Sequence, residues 1–283
     1  MSNLFGTPNE KETSTTLNIE SCLTIATTSN RSAIDEYEEN SKKFIVLAAT
    51  ADNNNDKLQI RLLVLGLVSS CEYYFRRILS EAVSICPTSR NVCTKYDITY
   101  AAATYFSEKN IGLALTDSSV FSGSNNIISE TKRLTELNVR DSASLLAALE
   151  EYQKVCIIRH ATVHSYGFIG GKNFTDLKIK NTGHYEVALT FEAFQEIADV
   201  CLNLVRAYNG QMWISIISRM ITKESLKLDS SLDDIDLFSK LVNVFWSSTR
   251  LEKFTGIENL YQSIVDANKS SSEIPIPAKK HKK

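Results

Sequence analysis

Proline is almost missing from this chain. Four of its 283 residues are proline, and none lies between Pro87 and Pro275. Proline breaks helix interiors. Its absence over that span, together with only ten glycines, predicts long helices rather than a sheet cut by turns. No apolar run reaches the roughly 20 residues that a bilayer demands, so no membrane partner is expected. The opening MSNLFGTPNEKETSTTLN lacks a basic start followed by an apolar core, so no signal peptide is read there. The six cysteines, Cys22, Cys71, Cys86, Cys93, Cys156 and Cys201, form no CxxC pair and show no metal-ligand spacing. They are expected as free thiols of a reduced, cytoplasmic protein. A phosphate-binding glycine loop, HExxH and GxSxG are all absent, and no metal or cofactor is expected. A net charge of -2 excludes a surface that grips nucleic acid all over, leaving room for a local basic patch.

What is present is helical periodicity. Residues 1–55 are expected as a flexible arm, polar at first, with a short helix over Asp35–Ala51. A helical core spans 56–222, a helical extension 223–268 and a mobile basic tail 269–283. The run Asn53-Asn54-Asn55-Asp56 supplies cap candidates for a helix from Lys57 that Pro87 ends. One apolar row of that helix runs Ile60, Val64, Leu67, Cys71, Tyr74, Ile78. Asp97 is placed to cap a helix over Ile98–Lys109, and Ile127–Leu137 reads as a short amphipathic helix. Asp141 is placed to cap a long helix over Ser142–Val163. Beyond its end, Leu177 and Ile179, then Tyr185, Val187 and Leu189, alternate with polar residues around Asn181-Thr182-Gly183, which predicts a small β-hairpin. Thr190 can cap another long helix, with a break expected at Asn209-Gly210. Asp229-Ser230-Ser231 and the acidic first turn Asp233-Asp234 open a helix through Trp246, and a last helix spans Ile257–Ala267. The predicted fold class is all-α, a bundle of long helices with a small β-hairpin inserted after the Ser142–Val163 helix.

The stretch Ile157–Gly167 stands out. The chain has four histidines, and His160 and His164 are two of them. A helical row through Leu145, Leu149, Tyr152, Cys156, Arg159 and Val163 sets an arginine among residues that favour burial. On the earlier long helix Glu72 lies on the apolar row Leu65, Val68, Phe75, Leu79. The two opposite charges suggest a buried Glu72–Arg159 pair that orients a side chain; a local Glu72–Arg76 pair is the alternative. Arg159 and His164 would lie about 140° apart in an unbroken helix, so an end at Val163 is expected to free His164 to swing towards Arg159. Arginine is a permanent cation with a planar donor fork, and histidine can move protons near neutral pH. A phosphodiester suits both: the guanidinium holds non-bridging oxygens while the imidazole takes or gives the proton. RNA supplies its own nucleophile, the 2′-hydroxyl. One histidine cannot be base and acid at once, but a two-fold dimer with facing clusters would supply two.

The bare Arg-x4-His spacing is weak, since chance gives it in about one chain in six of this composition. Its setting adds weight: the run Arg159-His160-Ala161-Thr162-Val163-His164 closes a core helix, with a polar residue straight after the arginine and Glu72 on an earlier helix. This combination resembles the HEPN domain family over roughly residues 56–221. The resemblance implies an all-helical fold, usually dimeric, and a metal-independent endoribonuclease that leaves a 2′,3′-cyclic phosphate, commonly a toxin or antiviral effector. Carried over, Arg159 and His164 are catalytic, His160 is the polar helper and Glu72 an orienting acid. His160 departs from the commoner asparagine. Lys172, Lys178 and Lys180, with Tyr166 as a base-stacking candidate, would bind RNA; a solvated hairpin face and a ring closing the helix against the core are the plainer readings. The implied partners are an RNA substrate and a second copy of the chain, with room for an antitoxin or regulatory partner. A non-catalytic HEPN scaffold binding RNA, nucleotide or protein is the alternative. A third is a helical interaction protein, with Arg159 in a core salt bridge and His164 as a C-terminal cation.

Overall fold

The computed structural model describes residues 15–26, 31–106, 111–223 and 225–272, and they fall into two units, Met1–Asn30 and Arg31 onward. In the first, the described stretch carries one 3-10 turn, Ile19–Cys22, begun by Asn18, whose side chain accepts the Glu20 N–H at 3.2 Å. The expected properties of residues 1–14, 27–30 and 273–283 lie outside the described residues.

The second unit is helical. Its elements are α1 (Ala33–Asn53), α2 (Lys57–Ile85), α3 (Pro87–Cys93), α4 (Tyr100–Tyr105), α5 (Ile111–Ala114), α6 (Ser124–Thr135), α7 (Ala143–His164), α8 (Gly171–Asp176), α9 (Phe191–Thr222), α10 (Leu232–Phe245), α11 (Ser248–Leu251) and α12 (Ile257–Ser272). The long helices start where a short polar side chain can satisfy a free N–H of the first turn. Asp56 accepts from Gln59 N at 2.9 Å, Thr190 from Ala193 N at 3.2 Å, and Ser231 from Asp234 N at 3.4 Å. At α7 the cap is Ser142, accepting from Leu145 N at 3.4 Å, not Asp141. At α4 it is Thr99 rather than Asp97, and that helix stops at Tyr105; residues 107–110 of the expected longer helix lie outside the described ones.

Four long helices, α1, α2, α7 and α9, make the bundle: α2 packs on the other three, and α9 likewise. The apolar rows read from the sequence are the buried ones. Ile60, Val64, Leu67, Cys71, Tyr74 and Ile78 of α2 are sealed from solvent, as are Leu145, Leu149, Tyr152 and Cys156 of α7. Tyr74, Phe75, Phe121 and Tyr208 meet as an aromatic centre with ring centroids 4.9–6.4 Å apart. Their hydroxyls are not left dry. Thr131 gives its proton to the Ile127 carbonyl (2.7 Å), so Tyr208 donates to Thr131 at 2.6 Å.

Some expectations change. α1 belongs to the bundle rather than to an arm, because Ile34, Tyr37, Ala48 and Ala51 are buried in contact with α2 and α9. The C-terminal α10 likewise packs on α2 and α9, with α12 against it. α9 does not break at Asn209-Gly210. The buried Asn209 amide donates to the Phe245 carbonyl (2.6 Å) and accepts from the Tyr74 hydroxyl (3.1 Å). Those tertiary bonds override a weak local preference for a turn. The expected hairpin is not seen. Gly171–Asp176 is helical, and Lys178 takes a left-handed φ of 54° that interrupts an extended strand. Tyr185–Val187 pairs instead with the exit of α7, through a single antiparallel bridge between Phe168 and Glu186. Ile169 N–H donates to Tyr185 O, and Val187 N–H to Gly167 O, both at 2.9 Å. Among the described residues, no helix is long and apolar enough to cross a membrane.

The turn into α10 depends on one carboxylate. Asp234 is buried and accepts from Lys227 N (2.7 Å), Leu228 N (2.9 Å) and the Tyr261 hydroxyl (2.7 Å). It thereby holds a loop in which Leu228 and Ser230 both adopt positive φ, 57° and 62°. Replacing it with Asp234→Ala strands three donors, at a cost of about 2–4 kcal/mol. Urea unfolding should show that loss; an unchanged midpoint would mean the loop holds itself.

Candidate functional site

The α7 row that carries Arg159 climbs out of the core as it runs. Leu145 through Cys156 are buried, Arg159 is half-buried, and Val163 is 45% exposed. Arg159 therefore sits at the rim, with its helix-side stem packed and its head able to reach solvent. It makes no hydrogen bond or ion pair with any described residue. The expected Glu72–Arg159 salt bridge is not formed. Neither is the local alternative, because Arg76 turns to the carbonyls of Thr116, Asp117 and Ser119. One carboxylate oxygen of Glu72 is buried with no hydrogen-bond partner. Glu72 and Arg159 both act electrostatically on a third group, the Cys156 thiol. Burial chiefly pushes that thiol up to about 12, the Glu72 carboxylate adds to the rise, and the Arg159 cation opposes it.

The helix does not stop at Val163. It continues through His164, whose place in the last turn stacks it over His160 instead of bringing it to Arg159. The two exposed imidazoles lie with ring centroids 4.5 Å apart and planes tilted by 45°. This is the usual meeting of side chains four residues apart. On an unbroken helix Arg159 and His164 remain roughly 140° apart. A single subunit thus brings together His160 with His164, while Arg159 and His164 leave α7 on different faces.

Gly167, the glycine just past the helix, is the stop its sequence position suggests, and the structure shows what holds it. Ser165 and Gly167 N–H both donate to the Ala161 carbonyl, at 3.0 and 2.9 Å. Tyr166 and Gly167 then take successive left-handed conformations, φ 50° and 100°. Arg61 of α2, only 7% exposed, holds this exit. Its guanidinium lies 4.8 Å from the centre of the Tyr166 ring and donates to Glu186 at 2.7 Å. A methyl group on Gly167 would come within 2.3 Å of the Arg61 Nη1. The sequence signal was present but small: an arginine within the mostly apolar run Leu58–Leu67.

Tyr166 is thus placed on Arg61, with its other face exposed. Lys172, Lys178 and Lys180 are exposed. Lys178 lines a groove of about 1010 Å³ together with Arg140, Gln153 and Lys154. The floor of that groove on α7 includes Leu146, Glu150, Gln153 and Ile157, the helical row that His160 and His164 continue. Among the described residues, no group of three or more His, Cys, Asp or Glu is arranged to hold a metal ion. No family model, curated protein or solved structure matches this chain.

Two outcomes follow from this geometry. Gly167→Ala should destabilise the protein by about 1–3 kcal/mol, through forced left-handed backbone and displacement of Arg61; thermal unfolding measures it, and a neutral result would dismiss the Arg61 clamp. Alkylation of the native protein at neutral pH, read by mass spectrometry, should modify exposed Cys22 and spare the five buried cysteines, Cys156 included. Rapid labelling of Cys156 would show that the Glu72 side of α7 is open.

Proposed function

We propose that this protein is a metal-independent endoribonuclease of the HEPN type, acting in the cytoplasm as a toxin or antiviral effector. The observation that carries the reading is the set of unengaged side chains at the end of α7. Two exposed imidazoles in tilted contact follow a rim arginine that has no hydrogen-bond or ion-pair partner among the described residues. These three side chains are free to engage a ligand brought to the end of α7.

The chemistry requires a second copy. In the proposed reaction an imidazole takes the proton of a ribose 2′-hydroxyl, the 2′-oxygen attacks the adjacent phosphorus, and the bond to the 5′-oxygen breaks. A second imidazole protonates that leaving oxygen, giving a 2′,3′-cyclic phosphate and a 5′-hydroxyl. Arg159 would steady the added charge on the phosphoryl oxygens. Because Arg159 and His164 diverge on one helix, the site needs Arg159 of one copy across from His164 of the other. The surface around α7's exit suits such a docking. Leu62 on α2 beside the Arg61 clamp, and Val163 and Phe168 across it, are 45–56% exposed. The groove lined by Lys178 and Arg140 would receive flanking RNA.

The same divergence favours, as second reading, a non-catalytic scaffold of the same fold that binds RNA, nucleotide or protein. For the third reading, a plain interaction protein, the core salt bridge of Arg159 is not formed, while His164 does lie in the last turn of α7 as its C-terminal cation. Incubating the protein with total cellular RNA and excess chelator separates the first two. The expected result is cleavage with cyclic phosphate ends, reduced at least ~100-fold in His164→Ala and in Arg159→Ala. Inertness of the confirmed dimer would leave the scaffold, and full activity of a monomer would refute the shared site.

A further inference from the structure

We propose that His160 and His164 form a two-imidazole clamp for a divalent transition-metal ion of the Zn2+, Ni2+ or Cu2+ kind, and that the bound ion shuts the ribonuclease site. The clamp follows from geometry alone; its effect on cleavage rests on the function proposed above. Both rings are on one face of α7, four residues apart, exposed and without hydrogen-bond partners among the described residues. An ion held by an imidazole nitrogen at about 2.0–2.1 Å lies roughly 3.2 Å from that ring's centre. With each exposed ring rotated to turn a nitrogen towards a common ion, centres 4.5 Å apart would subtend about 90° there, compatible with square-planar coordination and, with a slightly wider spacing, tetrahedral coordination.

The ligand type selects the ion. Neutral imidazole suits zinc, nickel and copper, whereas magnesium and calcium want carboxylate, carbonyl and water oxygens. The backbone does the organising: α7 is unbroken through both positions, and the Arg61 clamp fixes the turn that follows. No third protein ligand of the His, Cys, Asp or Glu type is arranged beside the pair among the described residues. The ion would keep open positions for water or a phosphate oxygen, and its affinity would be that of a two-ligand site, suited to reversible occupancy. An ion on both rings occupies the lone pairs that accept and deliver protons in the proposed cleavage. It is therefore no cofactor of the reaction but a block on it. A chain whose cleavage needs no metal would still be controlled by one.

Calorimetric titration of the full-length protein with NiCl2, with MgCl2 as control, tests the clamp. The parent and the His160→Ala, His164→Ala and His184→Ala variants are compared, each first checked for native circular dichroism. Expected is a nickel-binding event in the parent and in His184→Ala, weakened at least tenfold in both His160→Ala and His164→Ala, and no magnesium binding. Because these rings are exposed, the variants should fold. Variants at 160 and 164 that bind nickel as the parent does would overturn the clamp, and so would a parent that shows no site that those substitutions remove. The second arm adds nickel to the parent cleaving RNA and then restores excess chelator. Reversible inhibition over the concentrations that fill the calorimetric site supports the switch. Unchanged cleavage at full occupancy sinks the switch and leaves the ion site standing. A parent that binds nickel through both rings yet never cleaves RNA removes the ribonuclease reading instead.

Discussion

The constraint on which this structure turns is the wedging of α7 between α2 and α9. Burial of Leu145, Leu149, Tyr152 and Cys156 fixes the rotation of the helix about its own axis. Full burial of such side chains contributes about 1.5–3 kcal/mol each before chain entropy is counted, so the rotation is not easily changed. Once it is set, every other α7 position has an assigned direction. Arg159 must emerge where the buried row meets solvent. His160 and His164 must share a neighbouring row with the floor of the groove. Packing decides which functional groups can meet.

The exit of the helix is held as firmly. An α-helix that frayed at Val163 would let His164 wander towards Arg159. Here the last turn is closed by two donors on the Ala161 carbonyl, and the chain then reverses through two left-handed residues. Tyr166 adopts that conformation without the freedom of glycine, so something must hold it. Arg61 does so from below, and Glu186 completes the clamp from the segment that returns before α9. A buried guanidinium is costly to desolvate; a flat aromatic face and a carboxylate offset that cost in part, although its Nε remains without a partner. The clamp keeps the imidazole pair in register and keeps it apart from Arg159.

Local rules made much of the fold legible. Capping side chains marked the starts of α2, α9 and α10, and the apolar rows of α2 and α7 gave the buried faces, because these signals span only a few residues. The hairpin expected from the alternation over 177–189 is not seen; Lys178 adopts a left-handed backbone that no pattern of polarity encodes. The expected break at Asn209 failed because its amide finds partners on α2 and α10, far away in sequence. For the site, the composition at the end of α7 was visible and its stereochemistry was not. The four-residue spacing of His160 and His164 brings those two rings into contact. The Arg61–Glu186 contact links residues 125 positions apart, beyond any reading of periodicity.

Glu72 shows where the remaining tension lies. A half-buried carboxylate with one oxygen lacking any donor is costly in a folded interior. Its two candidate arginines are otherwise disposed: Arg76 is committed to three carbonyls, and Arg159 makes no ion pair with it, although Glu72 and Arg159 both act on the Cys156 thiol. Removing the acid for a well-packed apolar residue would relieve that cost, so its presence asks for a return elsewhere. The return consistent with its place is electrostatic. Glu72 adds negative charge to the surroundings of the Cys156 thiol, which Arg159 also influences, without an ion pair that would engage the Arg159 donors. An arginine locked in a salt bridge would be spent on the fold; one left without that bridge can still engage an anion brought to the end of α7.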